Sequence, residues 1–357
     1  MGSKSCLLVL SAVVVAVAFL VGIGGLEDKL CHLRTVAQAL KTLNAMDQSD
    51  FDAFFNSYDV FDAPQNNASD EVKVNSVYKV LVPLMGLGSL TKFYIPPVVD
   101  ASKNSFKYLN HNQVLFEQKM ADILSLRPGK VALDIGCGQG LIADTVQEHT
   151  GAKIIGINIS PEQLETARSN AKSKGKLGKV LEFDKVSMND DPLPYPDNTF
   201  DAVYIMQAVT YVHNPKRLMK EVRRILKPGG MFSDLSIVTL DKYNPDNQTQ
   251  YRMLQNAKRV SVVPTFRPRQ VYEDACTSNG FSLNFSKNLG HADMGQAAKD
   301  YFSPFGDVMK YLNSLGLIST RLMASMDRMN QYGEDFIQGD REELFTINYW
   351  IVCQAPL

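Results

Sequence analysis

The sequence predicts an α/β fold: a mostly parallel sheet of seven strands with helices on both faces. The first observation is a short apolar run, Val131–Ile135, that leads directly into a glycine-rich turn. The second is another apolar run, 153–158, one helix-length further along the chain. The third is that strand-like and helix-like segments go on alternating with short connections, which is typical of a parallel sheet.

The helix after the second strand has start and stop signals of its own. Ser160 can cap its first turn, Pro161 suits the first helical position, and Gln163 completes a capping box. Gly175 provides the stop signal. The local sequence therefore predicts both ends of this helix.

The other predicted elements follow in the same alternation. Further strands are expected at 181–186, 202–206, 231–238, 282–289 and 344–353. Helices are expected over 104–126, from Asn214-Pro215 to the turn at Pro228, and over 268–278. The ends of these strands are expected to point into one crevice.

The N-terminus is almost wholly apolar from residue 6 to residue 26. As a helix, this run would be about 30 Å long, enough to span a bilayer. The alternative is a signal peptide cleaved after Ala18, but the apolar run continues beyond that point. Lys29, Arg34 and Lys41 follow the run and favour a cytosolic body. We therefore expect a single-pass membrane protein, in the endoplasmic reticulum, with its core in the cytosol.

Composition divides the chain into five segments. They are a transmembrane anchor (1–28), a helical cap segment (29–103), the ligand-binding core (104–289), a helical substrate cap (290–343) and the final strand of the core (344–357). Residues 30–46 have the pattern of an amphipathic helix, lying either on the membrane or on the core. Residues 63–72 have the composition of a linker, and methionines are frequent in the second cap, where they suit an irregular apolar ligand.

Charge and cysteine content exclude several function classes. The net charge is −1, so no overall field indicates a nucleic-acid partner. The five cysteines are dispersed, without the spacing of metal ligands, and are interpreted as reduced thiols. We therefore expect no metal site, and the sequence indicates no particular oligomeric state.

The motifs around the glycine turn identify a cofactor class. Asp134-Ile-Gly-Cys-Gly-Gln-Gly140, Asp197-Asn-Thr-Phe-Asp201 and Leu226-Lys-Pro-Gly-Gly230 occur in this order. Together they resemble the class I methyltransferase fold, whose cofactor is S-adenosylmethionine. Dinucleotide enzymes share much of the glycine pattern, but they usually have an acidic residue at the end of the second strand. Here that residue is Asn158.

The resemblance implies a role for each residue at a strand end. Asp134 would accept a hydrogen bond from the ammonium of the cofactor, and Asn158 would bind the ribose hydroxyls. Ser187 and Met188 would contact the adenine, and Gln207 would face the methyl group. The backbone around the turn would meet the carboxylate and ribose. The predicted cofactor-binding residues are Asp134, Gly136, Cys137, Gly138, Gly140, Asn158, Ser187, Met188 and Gln207.

Candidate catalytic residues follow the fourth strand. His213 is the best candidate for a general base, and Tyr211 and Gln207 lie beside it in sequence. A histidine just before Asn214-Pro215 could equally be a surface residue near a helix cap. A substrate nitrogen or oxygen would need such a base, whereas an alkene carbon would need stabilisation of the cation that forms after attack.

Residues 100–357 resemble the sterol C-methyltransferase family. The narrowest likenesses are Asp241-Lys-Tyr-Asn-Pro-Asp246 and the C-terminal segment Met329–Pro356. The chain departs from the family where an acidic and aromatic stretch is thought to hold the sterol cation. The corresponding segment here is Pro83-Leu-Met-Gly-Leu-Gly88, and the family's acid after the fourth strand falls on Gln207.

Three functions remain open from the sequence. The first is C-methylation of an apolar, lipid-like acceptor such as a sterol or terpenoid, with the mouth of the site near the membrane. The second is N- or O-methylation of a small polar or quinone-like acceptor, favoured by the lost cation-holding residues and by His213. The third is a non-catalytic, membrane-tethered protein that binds a lipid or a partner.

Overall fold

A computed structural model describes residues 45–60, 69–86, 92–105, 108–261, 263–290 and 332–357. It also describes isolated positions between 34 and 43 and between 296 and 327. The predicted transmembrane anchor, residues 1–28, lies outside the described residues. So does most of the predicted substrate cap at 290–343. None of the helices in the described ranges is long and apolar enough to span a bilayer.

Within the described ranges, eight strands form one sheet, and most of them are parallel. The strands are β1 Val131–Ile135, β2 Lys153–Asn158, β3 Leu181–Lys185, β4 Phe200–Met206, β5 Leu226–Thr239, β6 Arg267–Pro268, β7 Ser282–Asn288 and β8 Phe345–Gln354. Their order is β3-β2-β1-β4-β5-β8-β7, and β6 pairs with β5. Strand β8 is antiparallel to both β5 and β7. The predicted α/β class is confirmed, and the predicted count of seven was wrong by the two-residue strand β6.

Helices cover both faces of the sheet. The described helices are α1 Gln48–Val60, α2 Ser69–Gly86, α3 Leu109–Ile123, α4 Leu141–Thr150, α5 Pro161–Ser173, α6 Pro215–Ile225, α7 Gln248–Ser261, α8 Arg269–Thr277 and α9 Gly333–Arg341. Short 3-10 turns occur at Ala101–Lys103 and Val209–Tyr211. The linker predicted at 63–72 was wrong at its end, because α2 begins at Ser69.

Local capping explains where two of these helices begin. Ser160 Oγ accepts a hydrogen bond from the Gln163 N–H at 3.5 Å, with Pro161 at the first helical position of α5. Asn214 Oδ1 accepts from the Arg217 N–H at 3.1 Å and caps α6 in the same way. Both starts were predicted, because each cap depends only on residues within one turn.

Alternate residues of the central strands pack into two separate cores. Leu133 and Ile135 of β1 join the core formed with α6 and α8. Ala132 of β1 and Tyr204 of β4 join the core formed with α3, α4 and α5. This period of two, with apolar residues facing both ways, is expected for a sheet covered by helices on each face.

The single tryptophan packs into the core that is formed with α3, α4 and α5. Trp350 of β8 is 1% exposed and lies edge-on to Phe116 and Phe285, with ring centroids 4.9 and 5.1 Å away. Its indole N–H donates to Ser233 Oγ at 2.9 Å, so the one polar atom of the ring has a partner.

The topology also places the functional site. The chain runs from β1 through β2 to β3 on one side, then returns to build β4 and β5 on the other. The strand order therefore reverses between β1 and β4. In open parallel sheets, ligands bind at the carboxyl ends of the strands on either side of such a reversal.

Candidate functional site

The glycine turn after β1 brings the backbone close to its neighbours. Gly136, Gly138 and Gly140 have φ values of 78°, 55° and 74°, in the left-handed region. A Cβ atom on Gly136 would lie 2.6 Å from Ala208 Cβ, and one on Gly140 would lie 2.6 Å from Phe183 Cζ. Glycine is therefore required at both positions, by conformation and by space.

Backbone hydrogen bonds join the glycine turn to β2. The backbone N–H groups of Gly136 and Cys137 donate to the carbonyl oxygen of Ile157 at 2.8 and 3.0 Å. Cys137 is 5% exposed, and burial raises the pKa of its thiol well above the usual value. A neutral thiol is a weak nucleophile, so Cys137 serves as a small residue in the turn.

Asp134 lies behind the turn as a buried carboxyl group with one unpartnered oxygen. It is 1% exposed, and its Oδ2 has no hydrogen-bond partner among the described residues. Burial raises the pKa of Asp134 to about 8; the Tyr204 hydroxyl opposes this rise and the charge of Glu117 adds to it. An oxygen without a partner at this depth is suited to a cationic ligand group, as the predicted contact with an ammonium requires.

Asn158 is held at the end of β2 by the residues that follow it. Its Nδ2 donates to Gln163 Oε1 at 2.7 Å, and its Oδ1 accepts from the Ile159 N–H at 2.9 Å. The predicted capping box was therefore only half correct: Ser160 caps α5, but the Gln163 side chain binds Asn158. A carbonyl oxygen has two lone pairs, so Oδ1 can still accept from a ribose hydroxyl.

The loop after β3 carries the residues predicted to meet adenine. Ser187 and Met188 both line the pocket. The guanidinium of Arg217, from the first turn of α6, donates to the carbonyl oxygens of Met188 and Asp190. A side chain from the helix between β4 and β5 therefore sets the position of this loop.

Asn189 connects that loop to the turn after β4. Its Nδ2 donates to the Tyr211 carbonyl oxygen at 3.1 Å, and its Oδ1 accepts from the His213 N–H at 2.9 Å. The two loops that would hold adenine and the methyl group are thus joined by one amide side chain.

Gln207 lines the pocket, and its amide nitrogen lies within hydrogen-bond distance of two other segments of the chain. Its Nε2 lies 2.7 Å from Ile347 O, 3.2 Å from Ile95 O and 3.2 Å from Asn348 Oδ1. Its φ of 52° is unusual for a residue with a side chain. Gln207 therefore connects β4, β8 and the segment before α3, a role that its place in the sequence did not indicate.

His213 is the predicted catalytic residue that the structure does not bring to the pocket. Val212 is fully buried in the core, and the next residue, His213, points outward and is exposed. It is absent from the residues that line the pocket, whereas Tyr211 is among them. The general-base role of His213 stays a prediction that this geometry does not favour.

Aromatic side chains from distant segments meet beside Gln207. The hydroxyls of Tyr78 and Tyr211 lie 3.4 Å apart. Phe93 packs edge-on to Tyr78, with ring centroids 5.9 Å apart. Burial raises the pKa of Tyr78, and it raises that of Tyr211 well above its usual value, so both hydroxyls stay protonated. Sequence analysis missed Tyr78 and Phe93 because no motif surrounds them.

A buried ionic network was also missed. Lys92 Nζ lies 2.6 Å from Glu117 Oε2 and 3.0 Å from Thr145 Oγ1. The Tyr94 hydroxyl donates to Glu117 Oε1 at 2.7 Å. One signal could have revealed it: Lys92 is the single charged residue in the otherwise apolar run from Val80 to Val99.

The pocket thus gathers residues from four strand ends and from the segment before α3. Of the predicted site residues, seven line it (Gly136, Cys137, Gly138, Asn158, Ser187, Met188 and Gln207), as does the catalytic candidate Tyr211. Asp134 and Gly140 lie behind the lining, and both are buried. The part of the chain that the structure describes contains no cluster of potential metal ligands.

The profile of a methyltransferase domain family matches residues 133–233, the region from β1 into β5. This stretch contains the glycine turn, the Asn158 strand end and the loop after β3. The chain contains a class I, S-adenosylmethionine-dependent methyltransferase domain. The predicted cofactor is confirmed, and the glycine cradle and the unpartnered Asp134 oxygen fit its amino-acid moiety.

Curated relatives of this methyltransferase domain carry lipid-related names. Squalene methyltransferase 1 of Botryococcus braunii is 34% identical over 181 residues, covering 51% of this chain and 47% of that protein. Sterol methyltransferase-like 2 of the same organism is 28% identical over 278 residues, covering 74% and 69%. The chain thus matches about half the length of the first relative and about two thirds of the second. The predicted resemblance to sterol C-methyltransferases is confirmed.

Solved structures share the fold at low identity. The cyclase SpnF superposes with a TM-score of 0.62 at 18% identity, covering 80% of this chain and 97% of that one. Geranyl diphosphate C-methyltransferase from Streptomyces coelicolor A3(2), solved with S-adenosyl-L-homocysteine, gives 0.55 at 17% identity, with coverages of 73% and 86%. These likenesses show the fold of the methyltransferase, and its acceptor must be argued from the site.

Proposed function

We propose that this methyltransferase transfers a methyl group to a carbon of an apolar, lipid-like acceptor such as a sterol or terpenoid. The observation that carries the proposal is the chemistry of the pocket wall. The described residues that line the pocket include no Asp, Glu or His, while Tyr78, Phe93 and Tyr211 stand together beside Gln207.

The absence of carboxylate and imidazole side chains from this lining favours carbon over nitrogen or oxygen as the acceptor atom. Protonated amines and hydroxyl groups must lose a proton to react, and a general base usually takes it. The tyrosine hydroxyls are poor bases, because burial raises their pKa values. An alkene carbon can attack without prior deprotonation.

The aromatic group formed by Tyr78, Phe93 and Tyr211 suits the charge that such an attack creates. When bound, the cofactor supplies an electrophilic methyl group on a positively charged sulfur. Attack by an alkene forms a carbon–carbon bond, breaks the carbon–sulfur bond to release S-adenosylhomocysteine and leaves a cation on the acceptor, which then loses a proton to water to give a new alkene. Aromatic faces stabilise a desolvated cation by about 2 kcal/mol each. These three rings would replace the acidic and aromatic stretch that is missing at residues 83–88.

The names of the relatives support the same acceptor class. They include squalene, sterol and botryococcene methyltransferases, all of which act on apolar isoprenoids by name. We also propose that the apolar run at residues 6–26 anchors the protein in the endoplasmic reticulum, with the methyltransferase domain in the cytosol. Its length supports this proposal, and removal of residues 1–28 should shift the protein from the membrane to the soluble fraction.

The acceptor proposal is tested by label transfer. The full chain is incubated with methyl-labelled S-adenosylmethionine and, separately, with squalene, a sterol mixture and a pool of polar metabolites. Label in an isoprenoid fraction is expected. Label only among polar metabolites would favour N- or O-methylation, and tight cofactor binding with no labelled product would favour the non-catalytic alternative.

Two substitutions of Tyr211 distinguish the contribution of its aromatic ring to kcat from that of its hydroxyl group. Tyr211→Phe keeps the aromatic face and should retain most of kcat. Tyr211→Leu should lower kcat by about 10- to 30-fold, which corresponds to one lost cation–π contact of about 2 kcal/mol. The Kd for S-adenosylmethionine should change by less than about twofold in both. If Tyr211→Phe is as inactive as Tyr211→Leu, the hydroxyl rather than the aromatic ring carries the effect, and the cation-stabilising role proposed for Tyr211 fails.

A further inference from the structure

Lys92 is the one lysine, and the one basic or acidic side chain of the Lys, Arg, His, Asp or Glu type, among the described residues that line the pocket. It is 8% exposed, so its ammonium is almost wholly removed from bulk water. Burying a charged group costs several kcal/mol unless a partner compensates for the lost hydration. A charge retained at this depth on the pocket wall calls for a structural or a ligand-binding explanation.

Two helices hold the Lys92 ammonium in place. Glu117 of α3 accepts from it at 2.6 Å, and Thr145 of α4 accepts from it at 3.0 Å. Glu117 is itself fixed by the Tyr94 hydroxyl at 2.7 Å. An ammonium has three N–H donors, and these contacts use two of them. The third is therefore available to a ligand in the pocket.

Lys92 lies at the same end of the pocket as the start of α4. Its partner Thr145 is in the second turn of that helix, which begins directly after Gly140. Gly138 and Leu141, on either side of the helix start, line the pocket together with Lys92. The N-terminus of a helix attracts negative charge through its free N–H groups and its dipole. Two independent features thus favour an anion at one place.

We propose that Lys92 binds the carboxylate of the methionine moiety of the cofactor. That carboxylate is the single anionic group of S-adenosylmethionine, and its partner on the protein must be a cation or a set of N–H donors. The unpartnered oxygen of Asp134, on the same side of the turn, would then remain for the neighbouring ammonium. The proposal concerns the cofactor alone, so it does not depend on the identity of the acceptor.

The test compares two ligands that differ in this carboxylate. Binding of S-adenosylmethionine and of decarboxylated S-adenosylmethionine is measured by calorimetry with the full chain and with Lys92→Met. The wild-type protein should prefer the carboxylated ligand by roughly 10- to 100-fold, the range expected for a hydrogen bond to a charged group. In Lys92→Met, this preference should fall to below about threefold, through weaker binding of S-adenosylmethionine alone.

A purely structural role for Lys92 predicts a different result. Loss of the contact with Glu117 would then weaken both ligands equally, and the preference for the carboxylated one would persist. That result, or an unchanged preference with unchanged affinities, overturns the proposal. Lys92→Arg keeps the charge and should retain a preference of at least fivefold.

Two control variants distinguish the effect of the Lys92 charge from effects of its neighbours and of other lysines. Tyr94→Phe removes a hydrogen bond to Glu117 but leaves Lys92 intact, so any loss of affinity should be the same for both ligands. Lys79→Met removes an exposed lysine that pairs with Asp50 outside this pocket, and both affinities should be unchanged. If Lys79→Met lowers the ligand preference as much as Lys92→Met does, the effect is one of general charge and the assignment to Lys92 fails.

Discussion

The two sides of the pocket are built in different ways. The cofactor side consists of β1, β2 and the loops after β1, β2 and β3, with contacts that are mostly local, such as Asn158 with Gln163 and Ser187 with Asp190. The acceptor side joins segments far apart in sequence. Tyr78 meets Tyr211 across 133 positions, and Gln207 meets Ile347 across 140.

This difference separates what a methyltransferase must keep from what it can vary. The cofactor is the same for all members, so a compact local motif that recognises it can be reused unchanged. The acceptor side is assembled from the N-terminal helices, the turn after β4 and strand β8, each of which can change independently of the glycine turn. We therefore expect substitutions on the cofactor side to alter binding of one ligand, and those on the acceptor side to alter how distant segments fit together.

The largest expected effect lies on the cofactor side, at Asp134. Its pKa of about 8 in the folded chain lies above the ordinary aspartate value of 3.8, because the carboxyl group is buried. Between these pH values the folded state keeps a proton that the unfolded state releases. Stability therefore falls as pH rises from about 4 to 8, by up to about 6 kcal/mol, since one pKa unit corresponds to about 1.4 kcal/mol. Asp134→Asn cannot titrate and should lose this part of the pH dependence.

Urea denaturation of the wild type and of Asp134→Asn at pH 5, 7 and 8.5 measures the difference. Compared with the wild type, Asp134→Asn should lose less stability between pH 5 and pH 8.5. Its affinity for S-adenosylmethionine should be about tenfold lower than that of the wild type. Parallel stability profiles for the two proteins would show that Asp134 is ionised in the folded state without a penalty.

The second effect tests the close approach of the glycine turn. Gly136→Ala combines a left-handed φ with a Cβ only 2.6 Å from Ala208, and it should destabilise the fold by about 3 kcal/mol. Gly175→Ala has a similar φ of 66° but open space around its Cβ, and it should cost about 1 kcal/mol. Equal melting temperatures for the two variants would show that the turn can move away from Ala208.

The third effect lies on the acceptor side, at the Gln207 bridge. Gln207→Glu would place a carboxylate against the carbonyl oxygens of Ile95 and Ile347, at a cost of about 2 kcal/mol at pH 7. The introduced carboxyl should have a raised pKa, because only its protonated form can donate to these acceptors. The loss of stability should therefore shrink at pH 5. A pH-independent loss would indicate that the amide does not bridge these segments.

The smallest effect concerns the loop after β3. Arg217→Ala frees the carbonyl oxygens of Met188 and Asp190, and the affinity for S-adenosylmethionine should fall by about fivefold, as expected for about 1 kcal/mol. Lys220→Ala, at an exposed position of the same helix, should leave the affinity unchanged. Equal affinities of the two variants would mean that the loop holds its position without Arg217.

The sequence was sufficient for those features that depend on neighbouring residues. The caps at Ser160 and Asn214, the glycine turn and the succession of strands and helices along the chain were all predicted, because each depends on a pattern within a few residues. The methyltransferase resemblance came from three motifs in the same local region. On the cofactor side, one contact was misassigned, since the Gln163 side chain binds Asn158 rather than completing the capping box of α5.

Tertiary structure alone decided which side chains share the pocket wall. Lys92, Tyr78 and Phe93 precede the core motifs and carry no spacing that relates them to it, whereas His213 had the right residue type and sequence position but faces outward. Whether a side chain faces a pocket depends on how its own element packs against the others, and Val212 takes the buried direction next to His213. The sequence by itself thus determined the fold and the cofactor, because these follow from local backbone geometry. The composition of the acceptor side was decided by long-range packing, which no local pattern encodes.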